Sequence, residues 1–253
     1  MRLESSFIQI PKVGEQTELT LWDAGITDWR AGVDTTTVGP TRREAINEFA
    51  HNAVDALGAR DIPFFADRLP AGETWRLAET FRDDWTALDI ETTGLDQSRD
   101  RITTVSVHDA SGTRTYVRGK DLTAEAVRTE LDQAGLLVTF NGAQFDLPFL
   151  GRAFDLSIDL PHIDLRYPCQ RLGWRGGLTA VERRVGIERD QPDIDGRMAV
   201  RLWSAYRDGD TRSLERLIAY NREDTALLVP VLEAVTEALD AKTIDQYGPA
   251  SAN

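Results

Sequence analysis

The sequence predicts an α/β fold, a mixed sheet flanked by helices, with a small helical accessory region at its N-terminal end. Three observations predict it. Residues 86–117 hold short extended runs joined by tight turns, GLLVTF is a short apolar run between helical stretches, and the last third repeats apolar residues at helical spacing. A chain of 253 residues with 41% hydrophobic content can bury one large domain, or a domain plus an accessory.

Bulk properties narrow the class. No run is long and apolar enough for a membrane span, and MRLESSF lacks an apolar signal core, so no membrane and no secretion are expected. The lone Cys169 excludes an internal disulfide and argues against a zinc-thiolate site, which points to a reducing cytoplasm. The net charge of −13 is unusual for a chain that binds nucleic acid. Yet Lys12, Lys120 and Lys242 are the only lysines among 29 cations, and arginine suits bidentate phosphate contact. Acid excess with little lysine also fits a halophile, where salt screens the charge; full stability in dilute buffer would argue against that.

Residues 1–82 are expected to form the helical accessory region. A turn at Pro11–Gly14 precedes a short helix ending near Gly25, with Leu19, Leu21 and Trp22 on its apolar side. I-P-x-V-G-x-x-T there resembles one helix-hairpin-helix unit, whose backbone N–H groups hold a nucleic-acid phosphate; a purely structural hairpin is the equal alternative. TRREAINEFAHNAVDALGAR predicts a helix capped by Thr41, with Ala45, Ile46, Phe49, Ala53 and Leu57 inward and His51 on the surface. Phe64, Phe65, Trp75 and Leu77 are expected to glue this region to the main domain.

Residues 83–240 are expected to form the main domain. WTALDIET opens it as a strand, RITTVSVHD and RTYVRG follow through short turns as antiparallel neighbours, and a helix spans roughly Thr123 to Ala134. GLLVTF reads as a buried strand, AQFDLPFLGRAF as a helix with Pro148 in its first turn, and HIDLRYPC as one last short strand. Three helices close the domain, within GGLTAVERRVGI, GRMAVRLWSAYRDGD and TRSLERLIAYNREDTALLVPVLEAVTEAL. Residues 241–253 are expected to be a flexible tail. His108 has no partner visible in the sequence.

The chemistry begins in the opening strand. Alternation turns Leu88 and Ile90 to one face and Ala87, Asp89 and Glu91 to the other. Two carboxylates on one face of a buried strand repel and are costly to desolvate. A divalent cation removes both problems, and hard oxygen ligands suit Mg2+ or Mn2+; an acidic strand end facing water is the alternative. Asp146 follows GLLVTF at a helix start, where the dipole favours an acid. Asn141, at the strand end, can bond the loop or a ligand. In the last helix Tyr220 and Asp224 fill the missing places in the stripe Leu214, Leu217, Leu227, Leu228 and Val231. An acid on an inward stripe needs a partner or a ligand.

DIE, NGAQFD and YNRED, in this order and at these separations, resemble the motifs of the DEDD (DnaQ-like) 3′–5′ exonuclease superfamily, over about Asp83 to Leu239. Tyrosine four before the last aspartate, with Ala219 where the histidine subclass carries histidine, matches the tyrosine subclass. WRL and the YNRED helix look most similar to YprB-like proteins. The resemblance implies a ribonuclease-H-like fold and a two-ion phosphodiester hydrolysis with Mg2+ or Mn2+, releasing nucleoside 5′-monophosphates. It implies metal ligation by Asp89, Glu91, Asp146 and Asp224, and Tyr220 orienting the attacking water. It also implies that Thr92, Thr93 and Leu95 meet the terminal nucleotide, and that the substrate is a nucleic acid with a single-stranded 3′ end. A helicase or repair partner stays open, as do two rival readings: a structure-specific endonuclease on the same site, or a non-catalytic nucleic-acid-binding module of such an assembly. His162 and Asp164 are expected to be a structural pair, with a further ligand as the alternative, and Arg166, Arg171, Arg175, Arg183 and Arg184 a solvated, salt-bridged cluster that can guide a backbone.

Overall fold

The computed structural model describes the backbone of residues 2–247 and the side chains through Thr243. The chain divides into two compact units, Met1–Arg82 with Glu233–Asn253, and Asp83–Leu232.

In the first unit, a single turn of 3-10 helix at Leu3–Ser5 leads through turns to helix α1 (Glu15–Asp23), then α2 (Pro40–Gly58) and the short α3 (Ile62–Ala66). Gly39, not Thr41, is the N-cap of α2, because Pro40 takes the first helical position, where its missing N–H costs nothing. Ile46, Phe49 and Ala53 are buried as expected; Ala50 and Ala56 join them, while Ala45 and Leu57 are only half-buried. Ring contacts run Trp29–Phe49–Phe64–Phe65–Phe81. The fully buried Arg76 ties this unit together. Its guanidinium grips both oxygens of Glu18 at 2.9 Å, reaches Glu73 at 2.7 Å and donates to the Ser6 hydroxyl at 3.1 Å. Glu18 also accepts the backbone N–H groups of Phe7 and Ile8. The turn that resembles a DNA-binding hairpin therefore has its nearby acid committed to a structural network, and one turn of 3-10 helix stands before it instead of a full helix.

The second unit is built on a five-stranded sheet in the order β3-β2-β1-β4-β5. Strands β1 (Trp85–Thr92), β2 (Ile102–Asp109) and β3 (Gly112–Val117) form the expected antiparallel meander. Helix α4 (Ala124–Gln133), capped by the Thr123 side chain, returns the chain to β4 (Leu136–Thr139), which pairs parallel to β1. Helix α5 (Asp146–Phe154) leads to β5 (His162–Asp164), parallel to β4. That last strand is only three residues long; RYPC turns instead into helix α6 (Arg166–Arg171). Helices α7 (Leu178–Arg184), α8 (Gly196–Arg207) and α9 (Thr211–Tyr247) follow. Pro230 sits inside α9 without ending it, and the helix runs past the end expected near Leu239, into the stretch expected as a tail. The tail beyond Tyr247 lies outside the described residues.

One face of the sheet buries Leu88, Ile90, Val105, Val107 and Leu137 with Val127 and Leu131 of α4 and Phe149 and Leu150 of α5. Each such side chain contributes about 1.5–3 kcal/mol by leaving water. A second cluster joins Ala199, Leu202 and Trp203 of α8 to Leu214, Leu217 and Tyr220 of α9. His108 does have a partner: its Nδ1 lies 2.8 Å from the Thr113 hydroxyl across the β2–β3 pair.

Candidate metal centre

The central strand positions the first two acids. β1 pairs with β4 only from Trp85 to Ala87, whereas its pairing with β2 continues through Glu91 before the register shifts at Thr92. Asp89 and Glu91 thus lie beyond the end of β4, on the face opposite the core residues Leu88 and Ile90. The short neighbour leaves the Ile90 N–H without a strand partner there, and Asp146 takes it: its Oδ1 accepts that hydrogen bond at 3.1 Å.

Asp146 is brought there by a tightly fastened loop. Asn141 adopts a left-handed φ of +68°. Gly142 packs so close to Thr139 that a Cβ would fall 2.2 Å from its hydroxyl oxygen, so only glycine fits. Asp164, at the end of β5, accepts the N–H groups of Asn141 (2.7 Å), Ala143 (3.1 Å) and Arg166 (3.0 Å). His162 bonds the Thr139 hydroxyl at 2.8 Å. His162 and Asp164 are therefore loop supports, each with its own partner rather than paired with one another.

Helix α9 supplies the rest. One ligand atom from each of Asp89, Glu91 and Asp224 lies within 4.8 Å of the others. Asp146 is not part of that trio but is close enough for its charge to act on both Asp89 and Glu91. Tyr220, one turn before Asp224, is buried and hydrogen-bonds its carboxylate.

Two residues not anticipated from the sequence complete the arrangement. Asn221 is fully buried; its Nδ2 donates to Asp89 Oδ2 at 2.6 Å and its Oδ1 accepts from Ser106 at 2.9 Å. Arg189, in the loop after α7, donates through Nη1 to Asp224 Oδ1. Its Nε and Nη2 are locked on the two oxygens of the buried Glu182. Asp89, Asp146 and Asp224 each have one oxygen gripped by a fixed donor, which orients the other oxygen. Asn221 adjoins Tyr220 in YNRED and was the more accessible of the two to sequence reasoning. Arg189, 35 positions from Asp224, left no local signal.

Electrostatically the site is short of positive charge. Burial, then the charges of Asp146, Asp224 and Glu91, push Asp89 well above the usual carboxylate range. Burial and the Asp224 charge do the same to Glu91. Burial raises Asp146 to about 7, against the pull of the Ile90 N–H. Asp224 rises less, to about 6, because Arg189 offsets its burial. Burial and the surrounding carboxylates also push the Tyr220 phenol up, so it stays a hydrogen-bond donor. Clustered carboxylate oxygens that protonate for want of a counter-charge fit a hard divalent cation.

A model of the RNase H superfamily matches residues 87–236. The chain belongs to the RNase H superfamily. Its sheet, a three-stranded antiparallel meander extended by two parallel strands and flanked by helices, is the mixed α/β arrangement expected of such a chain. Among solved structures, this RNase H superfamily member is similar to the family B DNA polymerase from the hyperthermophilic archaeon Pyrobaculum calidifontis (17% identity, TM-score 0.46), over 67% of this chain and 30% of that one. It thus spans under a third of the polymerase. It is also similar to a nuclease solved in its apo form (21%, TM-score 0.44, 71% and 80% of the two chains) and to Brucella melitensis NrnC with bound Mg2+ (17%, TM-score 0.36, 70% and 93%). No curated protein matches the sequence.

The residues expected at the terminal nucleotide are placed less tightly. The Thr92 hydroxyl donates to the Gly94 carbonyl at 2.6 Å; that of Thr93 donates to Asp100 at 3.2 Å and accepts the Arg101 N–H at 3.0 Å. Both hydroxyls close their own loop, which leaves the 84% exposed Leu95 at its surface. The amide oxygen of Asn141 accepts from Arg166, so this side chain bonds the loop, one of its two expected roles. Among the described residues, no helix is long and apolar enough to cross a membrane.

Proposed function

We propose that this chain is a metal-dependent nuclease that removes nucleotides from the 3′ end of a single-stranded nucleic acid, releasing nucleoside 5′-monophosphates. The observation that carries the reading is the convergence of Asp89, Glu91 and Asp224 within 4.8 Å, with Asp146 beside them, all under-compensated by cations. Asp89, Glu91 and Asp224 would hold one Mg2+ or Mn2+ ion, and Asp89 and Asp146 would help to hold a second. When bound, the ions supply activation of the attacking water and charge stabilisation at the leaving 3′ oxygen. The protein's part is orientation. Asn221, Arg189 and the Ile90 N–H fix the carboxylates, and a fixed carboxylate needs no reorganisation when phosphorus is attacked. Tyr220, held as a neutral phenol, orients the attacking water through its hydroxyl. Thr92, Thr93 and Leu95 form the loop against which the terminal nucleotide rests.

The test is a panel of end-labelled DNA and RNA oligomers with Mg2+, Mn2+ or EDTA. A metal-dependent ladder shortening from the 3′ end is expected, abolished in Asp89→Ala and Asp224→Asn. Continued cutting of substrates with blocked 3′ ends would assign an endonuclease instead.

A further inference from the structure

Residues 165–185, LRYPCQRLGWRGGLTAVERRV, carry five arginines and one acid in a chain whose net charge is −13. The structure withdraws even that acid. Glu182 is fully buried, and both its oxygens are taken by Arg189. The salt bridges expected of these arginines are missing where they matter. Arg175, Arg183 and Arg184 are exposed, and among the described residues none of them pairs with a carboxylate. An acidic protein that leaves three guanidiniums of one short segment without an ion pair has kept a local positive field for an anion from outside.

An aromatic ring stands beside one of them. Trp174 is half-buried, on the loop between α6 and α7; its backbone N–H donates to the Cys169 carbonyl at 2.8 Å, and the Arg184 guanidinium lies 5.6 Å from its ring. Gly176 shapes this loop with φ +111°, and a Cβ there would also meet Ala180 at 2.6 Å. The segment is fastened to the acid cluster at both ends. Arg166 donates to Asn141 and to Gln144 (2.8 Å) in the loop that delivers Asp146, and Arg189, just after α7, holds Asp224.

We infer that residues 166–184 form a track for single-stranded nucleic acid leading to the acid cluster, with Arg175, Arg183 and Arg184 on phosphates and a base stacked on Trp174. A flat ring beside free guanidiniums is the chemistry that binds unpaired bases and backbone together, and a paired duplex hides the base faces it needs. The inference rests on the nuclease reading for the direction of the track, but binding and cleavage are measured separately.

The experiment uses the full chain in EDTA and reads fluorescence anisotropy of a labelled oligo(dT) 20-mer and of the same length with abasic sites. Reversing Arg175, Arg183 and Arg184 to Glu is expected to weaken oligo(dT) binding by more than tenfold. It is also expected to flatten the slope of log affinity against log salt by about 2, at roughly 0.7 per phosphate contact. Trp174→Ala is expected to cost about 5- to 150-fold on oligo(dT) and to erase the preference over the abasic strand, with Trp174→Phe retaining it. With Mg2+, the arginine variant is expected to raise the 20-mer's KM more than it lowers kcat. Unchanged affinity and salt slope in the arginine variant overturn the track. So does equal binding of oligo(dT), abasic strand and heparin by the unmodified chain, which marks a general polyanion surface. If Trp174→Ala does not fold, the arginine variant still decides. Absence of hydrolysis of any substrate by the unmodified chain defeats the nuclease reading and leaves the binding result standing.

Discussion

In the first unit, Glu18 receives a bidentate guanidinium and two backbone N–H groups, and Glu73 shares the same arginine. In the second unit, four carboxylates gather round the end of β1 with one guanidinium and three neutral donors among them, the Asn221 amide, the Ile90 N–H and the Tyr220 hydroxyl. Both networks are buried, and both use acids on apolar scaffolds. In the first, a guanidinium and backbone N–H groups meet the acids; in the second, each anchored acid keeps one oxygen oriented and unclaimed by those donors. A buried acid matched by its own donors holds structure together. A cluster left short of cations stores repulsion that an external cation relieves, so burial alone does not mark a functional acid.

The sharpest way to break this contrast is to remove one acid from each network. Asp89→Asn is expected to reduce hydrolysis to background while raising the melting temperature in EDTA, because it removes a repelled charge and keeps a side chain of the same shape. A fall in the EDTA melting temperature would make Asp89 a structural acid. Arg76→Ala is expected to do the opposite in the first unit. It strands two buried carboxylates, at a cost of about 3–5 kcal/mol in denaturant unfolding; a loss below 1 kcal/mol would show that water compensates them.

A smaller effect sharpens the role of the one cation in the site. Arg189→Met is expected to weaken Mn2+ binding by about 10- to 100-fold in calorimetric titration, because Asp224 loses the donor that orients it. Tighter Mn2+ binding would instead make Arg189 a competitor for the carboxylate. The smallest effect is on pH dependence. Asp146 and Asp224 titrate near 7 and 6 in the folded chain against an ordinary value of 3.8. The fold therefore keeps protons that the unfolded chain has already released, and the stability they give is lost as pH rises through 6 and 7. In EDTA the melting temperature is expected to fall between pH 5 and 7.5, and the rise caused by Mg2+ to grow over the same window. A flat metal-free profile would mean that the acids are already compensated.

Much of this was legible in the chain. The alternation of WTALDIET put Asp89 and Glu91 on the face opposite Leu88 and Ile90, and Asp224 stood out as an acid on an apolar stripe. Less regular stretches misled. RYPC looked extended but turns into α6, and Thr41 looked like a cap where Pro40 moves the boundary back to Gly39. His108 found Thr113 only once β2 and β3 were paired.

The sequence by itself determined which residues face inward, the order of strands and helices, and which acids demand a partner, because these follow from side-chain periodicity along one element. Only the tertiary structure decided who answers them. Asn221 on Asp89, Ile90 on Asp146, Arg189 on Asp224 and Glu182 behind Arg189 meet across 7 to 132 positions of chain. Likewise, only the fold showed that, among the described residues, Arg175, Arg183 and Arg184 form no ion pair with a carboxylate. Charge balance is a property of space, and a chain read in one dimension counts its charges without knowing which of them are neighbours.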